Sequence, residues 1–73
     1  MILNPLEQSI CEQLQRTRIE KGLSQRDCAV ELGISEAEYR NLENGKLRVY
    51  AAQLFHLSKF MGASMASFFE PKE

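Results

Sequence analysis

Ten residues lie between two serines in the middle of this chain, Ser24 and Ser35, and both serines carry the signals of a helix start. A serine hydroxyl caps the free backbone N–H groups of a helix, and an acid three residues later completes a capping box. Asp27 and Glu38 stand at those positions. Gly33 precedes the second signal, and glycine ends helices because it adopts the left-handed backbone conformation without steric cost. This spacing predicts two short helices separated by a sharp turn.

Two helices joined by a short turn that contains glycine form a helix-turn-helix unit. Apolar or small side chains recur at helical spacing in both helices, so each helix has an inward face. The predicted inward residues are Cys28, Ala29, Leu32, Ile34, Tyr39 and Leu42. The outer face of the second helix then carries Glu36, Ala37, Arg40 and Asn41. A protruding helix of this width fits the major groove of DNA, so this face is a candidate DNA-reading surface.

Further helix signals flank this unit on both sides. Asn4 as the cap and Pro5 as the first residue begin a helix that should end near Gly22. A fourth helix should span about residues 51–61, and a last short turn residues 65–69. The predicted inward residues are Leu6, Ile10 and Leu14 in the first helix and Leu54, Leu57, Phe60 and Met61 in the fourth.

The composition of the chain fits one small globular domain over residues 1–73. Hydrophobic residues make up 44% and charged residues 26%, a balance that disordered chains lack. No stretch alternates apolar and polar residues as β-strands do, so we predict an all-α, compact five-helix bundle. Nine basic and ten acidic residues give a net charge of −1, which excludes a large basic field that binds any polyanion.

Several other classes of protein are disfavoured by what the sequence lacks. There is no long apolar run and no basic segment followed by an apolar one, so we expect no membrane segment, no signal peptide and a cytoplasmic location, at the nucleoid when bound to DNA. Cys11, Cys28 and His56 are too few to build a four-ligand zinc site, and we expect both cysteines to be reduced apolar fillers. Because no nucleophile and base form a recognisable set, we predict neither an enzyme nor a cofactor.

One ordered set of residues points to a known family. The set comprises Arg18, Gly22-Leu23-Ser24-Gln25, Ala29, Leu32-Gly33-Ile34-Ser35, Leu42-Glu43-Asn44-Gly45-Lys46, Leu54, Leu57 and Gly62. In order and spacing, the chain from about Leu14 to Phe69 resembles the lambda-repressor-like, Cro/Xre-type DNA-binding domain, in which a recognition helix docks in the major groove. The resemblance implies a five-helix bundle whose third helix reads base edges.

The resemblance also implies roles for individual residues. Gln25 falls where the family has a glutamine that contacts the DNA backbone and braces the first residue of the reading helix, here Glu36. Arg18 and Glu43 match a pair that joins the first helix to the third, so we expect an ion pair between them. The other expected DNA contacts lie on the third helix or in the loop that follows it, at Ala37, Arg40, Asn41, Asn44, Lys46 and Arg48.

Two features of the sequence allow more than one interpretation. Glu36 either accepts a hydrogen bond from the N4 amino group of cytosine, which gives specificity, or faces a phosphate and weakens binding. Residues 65–73 are a candidate dimerisation segment, with Met65, Phe68 and Phe69 as its apolar contacts. The same side chains also suit the core of a single chain, and we expect one phenylalanine to face inward and the other to meet a partner.

We therefore predict a sequence-specific DNA-binding transcriptional regulator, a homodimeric repressor that reads a palindromic operator with its third helix. Helix-turn-helix dimers place two reading helices about 34 Å apart. The alternative is a protein-interaction module, an antitoxin or anti-regulator, that has this fold and little or no affinity for DNA. The acidic isoelectric point of about 5.8, together with Glu36 and Glu38, motivates the alternative. The predicted partners are double-stranded DNA and a second copy of the chain, with a further protein partner in the alternative.

Overall fold

The structure, a computed structural model, describes residues 3–70. Its elements are α1 (Pro5–Glu20), α2 (Gln25–Leu32), α3 (Glu36–Glu43), α4 (Ala51–Met61) and a 3-10 helix (Met65–Phe69). The described residues contain no strand, which confirms the all-α prediction. The predicted count of five helices was approximate, because the last element is a 3-10 helix and only four are α-helices.

Parts of two predictions lie outside the described residues. Residues 71–73 belong to the predicted dimerisation segment, and Met1 and Ile2 to the predicted domain. Within residues 3–70, no helix has both the length and the apolar composition that crossing a membrane requires.

The first two helices begin with reciprocal caps. The Asn4 side chain accepts the backbone N–H of Glu7 at 2.8 Å, and the Glu7 carboxylate accepts the N–H of Asn4 at 3.2 Å. Ser24 and Asp27 exchange the same two bonds at the start of α2, both at 2.9 Å. These bonds satisfy donors that the helices themselves leave free, so the local sequence fixes where α1 and α2 begin.

The next two helices, α3 and α4, begin with fewer cap hydrogen bonds than α1 and α2. The Ser35 hydroxyl accepts the backbone N–H of Glu38 at 3.0 Å, as expected. The Glu38 carboxylate, however, accepts the Ser35 hydroxyl at 3.3 Å and not the Ser35 backbone N–H, so the predicted full capping box is only half formed. At α4 the cap position is occupied by Tyr50, whose side chain makes no cap bond, and Gln53 accepts the Tyr50 N–H at 3.0 Å.

The turn between α2 and α3 depends on Gly33. Its backbone lies in the left-handed region, with φ 71° and ψ 31°, as the sequence predicts. No atom lies within 4 Å of the position that a Cβ would take, so the requirement comes from backbone conformation and not from crowding. The N–H of Ile34 bonds the carbonyl of Ala29 at 3.0 Å and closes the end of α2. A residue with a side chain would cost about 1–2 kcal/mol in this conformation.

The core gathers one face from each element. Its fully buried members are Leu14, Cys28, Ala29, Tyr39, Leu42, Leu54, Leu57, Met61 and Phe68. Cys11 and Cys28 are both buried and free. Burial is the main reason why the pKa of each thiol is raised above its ordinary value. The expectation that the cysteines serve as apolar fillers agrees with this placement.

Two residues predicted to face inward are exposed. Leu6 is 57% exposed, since it lies about 140° around α1 from the buried Cys11. Phe60 is 37% exposed, since it lies about 100° around α4 from the buried Met61. Ser58 is buried in the inward face of α4, and its hydroxyl donates to the carbonyl of Phe55 at 2.6 Å. That local bond lets a small polar residue occupy a core position.

The 3-10 helix packs against α1 and α4 and carries Phe68 into the core. The buried side-chain amide of Gln13 donates to the carbonyl of Glu70 at 3.0 Å and fastens the end of this segment to α1. Phe68 is therefore the phenylalanine that faces inward, and it is not available as a dimer contact, because its fully buried ring completes the core of its own chain. Phe69 is 47% exposed and Met65 is half-buried, so these two residues stay predicted contacts.

Candidate nucleic-acid interface

The outer face of α3 is open to solvent along its length. Glu36, Ala37 and Arg40 are exposed, and Asn41 is half-buried at the edge of the same face. On the opposite side Tyr39 is fully buried in the core. The helix is therefore held from one side and presented from the other, which is the arrangement that insertion into a DNA groove requires.

The charges on this face partly neutralise each other. One guanidinium nitrogen of Arg40 lies 3.8 Å from a carboxylate oxygen of Glu36, one helical turn away. The two side chains are 52% and 49% exposed, so water screens their attraction and the pair adds little stability. The outer face of α3 thus carries one acid and one base side by side rather than a patch of positive charge.

The loop after α3 folds back onto the helix end. The backbone N–H groups of Lys46 and Leu47 both bond the carbonyl of Asn41, at 2.9 Å and 3.3 Å. Asn44, the C-cap of α3, is exposed, as is Lys46. The Lys46 side chain forms no hydrogen bond or ion pair with any residue in the range 3–70. A lysine ammonium that is free in this way is available to bind an anion.

Arg48, the second base of this loop, has a partner at the start of α1. Its guanidinium pairs with the carboxylate of Glu7, and the two side chains are 56% and 22% exposed. The sequence gives no signal for this contact, because it joins residues 41 positions apart. The same carboxylate accepts the backbone N–H of Asn4, the N-cap of α1. Glu7 therefore takes part both in the cap of α1 and in the contact with the loop after α3.

A buried hydrogen-bond network fixes α3 relative to α1 and α2. Arg18 donates to both oxygens of Glu43, from Nε at 2.6 Å and from a terminal nitrogen at 3.2 Å. Its other terminal nitrogen donates to the carbonyl of Leu23 at 2.9 Å. The Glu43 side chain is fully buried and that of Arg18 is 12% exposed. The hydrogen bond to Glu43 raises the pKa of Arg18 above its ordinary value, so the guanidinium stays charged.

Gln25 joins this network instead of bracing the reading helix at its first residue. Its side-chain amide donates to Glu43 at 3.2 Å. The predicted contact with Glu36 was wrong, because the Gln25 amide donates to the buried carboxylate of Glu43 instead. Gln25 therefore positions the C-terminal end of α3.

The inward side of α3 also contains an unsatisfied polar group. The Tyr39 hydroxyl is buried and has no hydrogen-bond partner within residues 3–70. Burial raises the pKa of this phenol well above its ordinary value of 10.0, so it stays protonated. The sequence predicts that Tyr39 faces inward but gives no indication of where its hydroxyl points.

No cluster of histidine, cysteine, aspartate or glutamate within residues 3–70 could hold a metal ion. His56 is exposed and lies 2.9 Å from a carboxylate oxygen of Glu31. This contact links α4 to α2 on the outside of the bundle.

In this chain two short helices, α2 and α3, are joined by a turn at Gly33, and the second helix is exposed. This arrangement is that of a helix-turn-helix protein. Residues 10–65 match the family model described as a helix-turn-helix domain, which is more than half of the chain. The chain therefore belongs to the helix-turn-helix domain family and is of the lambda-repressor-like, Cro/Xre type. No curated protein matches it in sequence.

Solved structures of regulators are similar to the chain. The clp gene regulator ClgR from C. glutamicum is 26% identical with a TM-score of 0.81, and the match covers 90% of this chain and 86% of that one. A transcriptional regulator of the HTH_3 family from Vibrio cholerae is 30% identical with a TM-score of 0.75, covering 88% of this chain and 36% of the other. The restriction-modification controller protein C.AhdI from Aeromonas hydrophila, at 23% identity, shares the fold, with a TM-score of 0.75 and coverage of 84% and 92%.

Proposed function

We propose that the chain is a homodimeric repressor that binds a palindromic DNA operator and reads it with α3. The observation that carries the proposal is the two-sided environment of α3. Its inner side is fixed by Tyr39 and by the buried ion pair of Glu43 with Arg18, while Glu36 and Arg40 face solvent. A helix whose reading side chains rest on a rigid support keeps them aligned with base edges, which sequence-specific binding needs.

The residues around α3 suit contacts to the phosphate backbone. Lys46 is exposed and unpaired among the described residues, and Asn44 is exposed beside it. Arg48 reaches a phosphate by exchanging the Glu7 carboxylate for another anion. One N–H of the Gln25 side-chain amide donates to Glu43, which leaves the second N–H and the backbone N–H at the start of α2 as donors for a phosphate. In the proposed complex Ala37 and Asn41 flank the base-reading positions.

The size of the molecule favours a dimer. The Cα atoms of the described residues extend at most 27 Å, whereas successive major-groove half-sites lie about 34 Å apart. One chain therefore covers one half-site, and two copies are needed for a palindrome. We assign residues 1–73 to a single domain with its motif at about 24–43, and residues 65–73 to dimerisation, with Met65 and Phe69 as the apolar contacts. Regulators such as ClgR support a role in gene control.

One set of observations favours the second candidate function, a protein-interaction module with little affinity for DNA. Arg40 and Arg48 each lie beside a carboxylate, and the net charge of the chain is −1. Neutralised bases contribute less to the counterion release that drives DNA binding. This candidate predicts that no DNA sequence is preferred over random DNA.

Competition binding at physiological salt tests the proposal. A duplex enriched from a random pool by the protein competes against random DNA, and sedimentation of the complex gives the number of chains bound. We expect preference for a palindrome and two chains per site. Arg40→Ala should weaken specific binding by about 1–3 kcal/mol, whereas Arg16→Ala, which removes an exposed arginine of α1, serves as the control. Equal affinity for enriched and random DNA would overturn the proposal in favour of the second candidate.

A further inference from the structure

The outer face of α3 combines an acid and a base in a single pair. Arg40 and Glu36 approach to 3.8 Å, and each is about half exposed. Neither makes another hydrogen bond or ion pair with any residue from 3 to 70. Both side chains are therefore held only by each other and by the helix, and both point where the proposed DNA would lie.

A carboxylate at this position restricts which bases the helix accepts. In the major groove, guanine offers two acceptors and thymine one, while the donors are the amino groups of cytosine and adenine. A carboxylate accepts and does not donate, so it is repelled by phosphate, by guanine and by the thymine oxygen. Among the usual pairings, acids accept from cytosine and arginine donates to both guanine acceptors. Glu36 therefore favours a base that presents a donor, and Arg40 favours a base that presents two acceptors.

The distance between the two side chains limits where those edges lie. Their charged groups are 3.8 Å apart, and successive bases along a strand are separated by about 3.4 Å. We infer that Arg40 and Glu36 act as one specificity unit that reads a guanine and a cytosine in two adjacent G·C pairs. This inference rests on the proposed function, because it requires α3 to lie in the major groove.

The other acid at the start of α3 provides a matched control. Glu38 is exposed like Glu36, but it lies about 200° around the helix and its carboxylate accepts the Ser35 hydroxyl at 3.3 Å. Glu36→Gln and Glu38→Gln remove the same charge from the same helix turn. Only the first replaces an acceptor on the outer face by an amide, which prefers adenine.

Selection from random duplexes, followed by affinity measurements on single-base variants of the selected site, tests the inference. The wild-type chain should enrich a guanine and a cytosine in adjacent base pairs. Replacing that cytosine should weaken wild-type binding about 5-fold to 140-fold, the range that corresponds to one base contact. With Glu36→Gln, the preference at that position should shift to adenine or disappear while the guanine stays. Glu38→Gln should enrich the wild-type site.

A second measurement uses the unaltered protein. N4-methylcytosine placed at the selected cytosine obstructs its amino donor and should weaken wild-type binding, while the same modification at an uncontacted cytosine should not. The inference is overturned when Glu36→Gln and Glu38→Gln select the wild-type site alike, or when Glu36→Gln loses the guanine and keeps the cytosine. In the latter case Glu36 only orients Arg40. A wild-type chain that enriches no site at all removes the proposed function itself, so the two failures are distinguishable.

Discussion

Removing Arg18 should destabilise the fold more than any surface substitution, because it leaves the Glu43 carboxylate buried without a counter-charge. The Glu43 side chain is fully buried, and Arg18 supplies two of its hydrogen bonds. Deleting one partner of a buried pair costs about 3–5 kcal/mol. A 73-residue domain has about 4–11 kcal/mol of total stability, from about 0.05–0.15 kcal/mol per residue. Arg18→Ala should therefore remove about a quarter of the unfolding free energy or more.

Urea unfolding followed by far-UV circular dichroism measures this loss, with Arg16→Ala as the control. Arg16 is exposed on the same helix, and its removal should change stability by less than about 0.5 kcal/mol. The double variant Arg18→Met with Glu43→Leu should recover much of the loss, since apolar residues of similar volume replace buried ion pairs at little cost. A loss below about 1 kcal/mol in Arg18→Ala, or an equal loss in the double variant, would show that the uncompensated charge is not the cause.

Three further predictions concern individual groups. Gly33→Ala should lower the unfolding free energy by about 1–2 kcal/mol in urea titrations, because its φ of 71° strains a residue with a Cβ. Tyr39→Phe should leave stability unchanged or raise it by about 1 kcal/mol in the same assay, since it deletes a buried hydroxyl that has no partner in residues 3–70. The backbone N–H of Ser24 lowers the pKa of Asp27 below its ordinary value of 3.8. The stabilisation that this acid provides is complete above pH 3.8 and is lost as the pH falls through the lowered pKa, so wild-type and Asp27→Asn stabilities should converge there.

The helix boundaries were predictable because each depends on residues close together in the sequence. Ser24 and Asp27 satisfy each other within a single turn, and Gly33 needs only its own backbone conformation. The burial of individual side chains was less predictable. Phe60 was expected to face inward but is exposed, whereas Ser58 is buried, because helix rotation, and not hydrophobicity, decides which of them faces the core. Sequence spacing gives a periodicity of about 3.6 residues but does not fix the centre of the buried face.

The partners of the charged residues were the least predictable part of the candidate site. The ion pair of Arg18 with Glu43 was expected from the family resemblance alone, and the structure contains it. The sequence does not indicate that Glu7 contacts Arg48 in the loop after α3. Gln25 was expected to contact Glu36, but it contacts Glu43. Such contacts join elements whose relative position depends on the packed core. Because several acids compete for each donor, charge and spacing along the chain do not identify the partner.

Under the proposed function, the paired charges beside α3 affect how a chain with a net charge of −1 distinguishes one DNA sequence from another. Affinity for random DNA grows with the number of phosphates that basic groups neutralise. Arg40 and Arg48 each give up a carboxylate when they bind a phosphate, so random DNA gains little from them. In the proposed operator, Arg40 instead gains both guanine acceptors and Glu36 gains an amino donor, contacts that random DNA rarely supplies together. The acids that weaken general binding thereby widen the difference between specific and non-specific affinity, which is the quantity a regulator depends on among many competing sites.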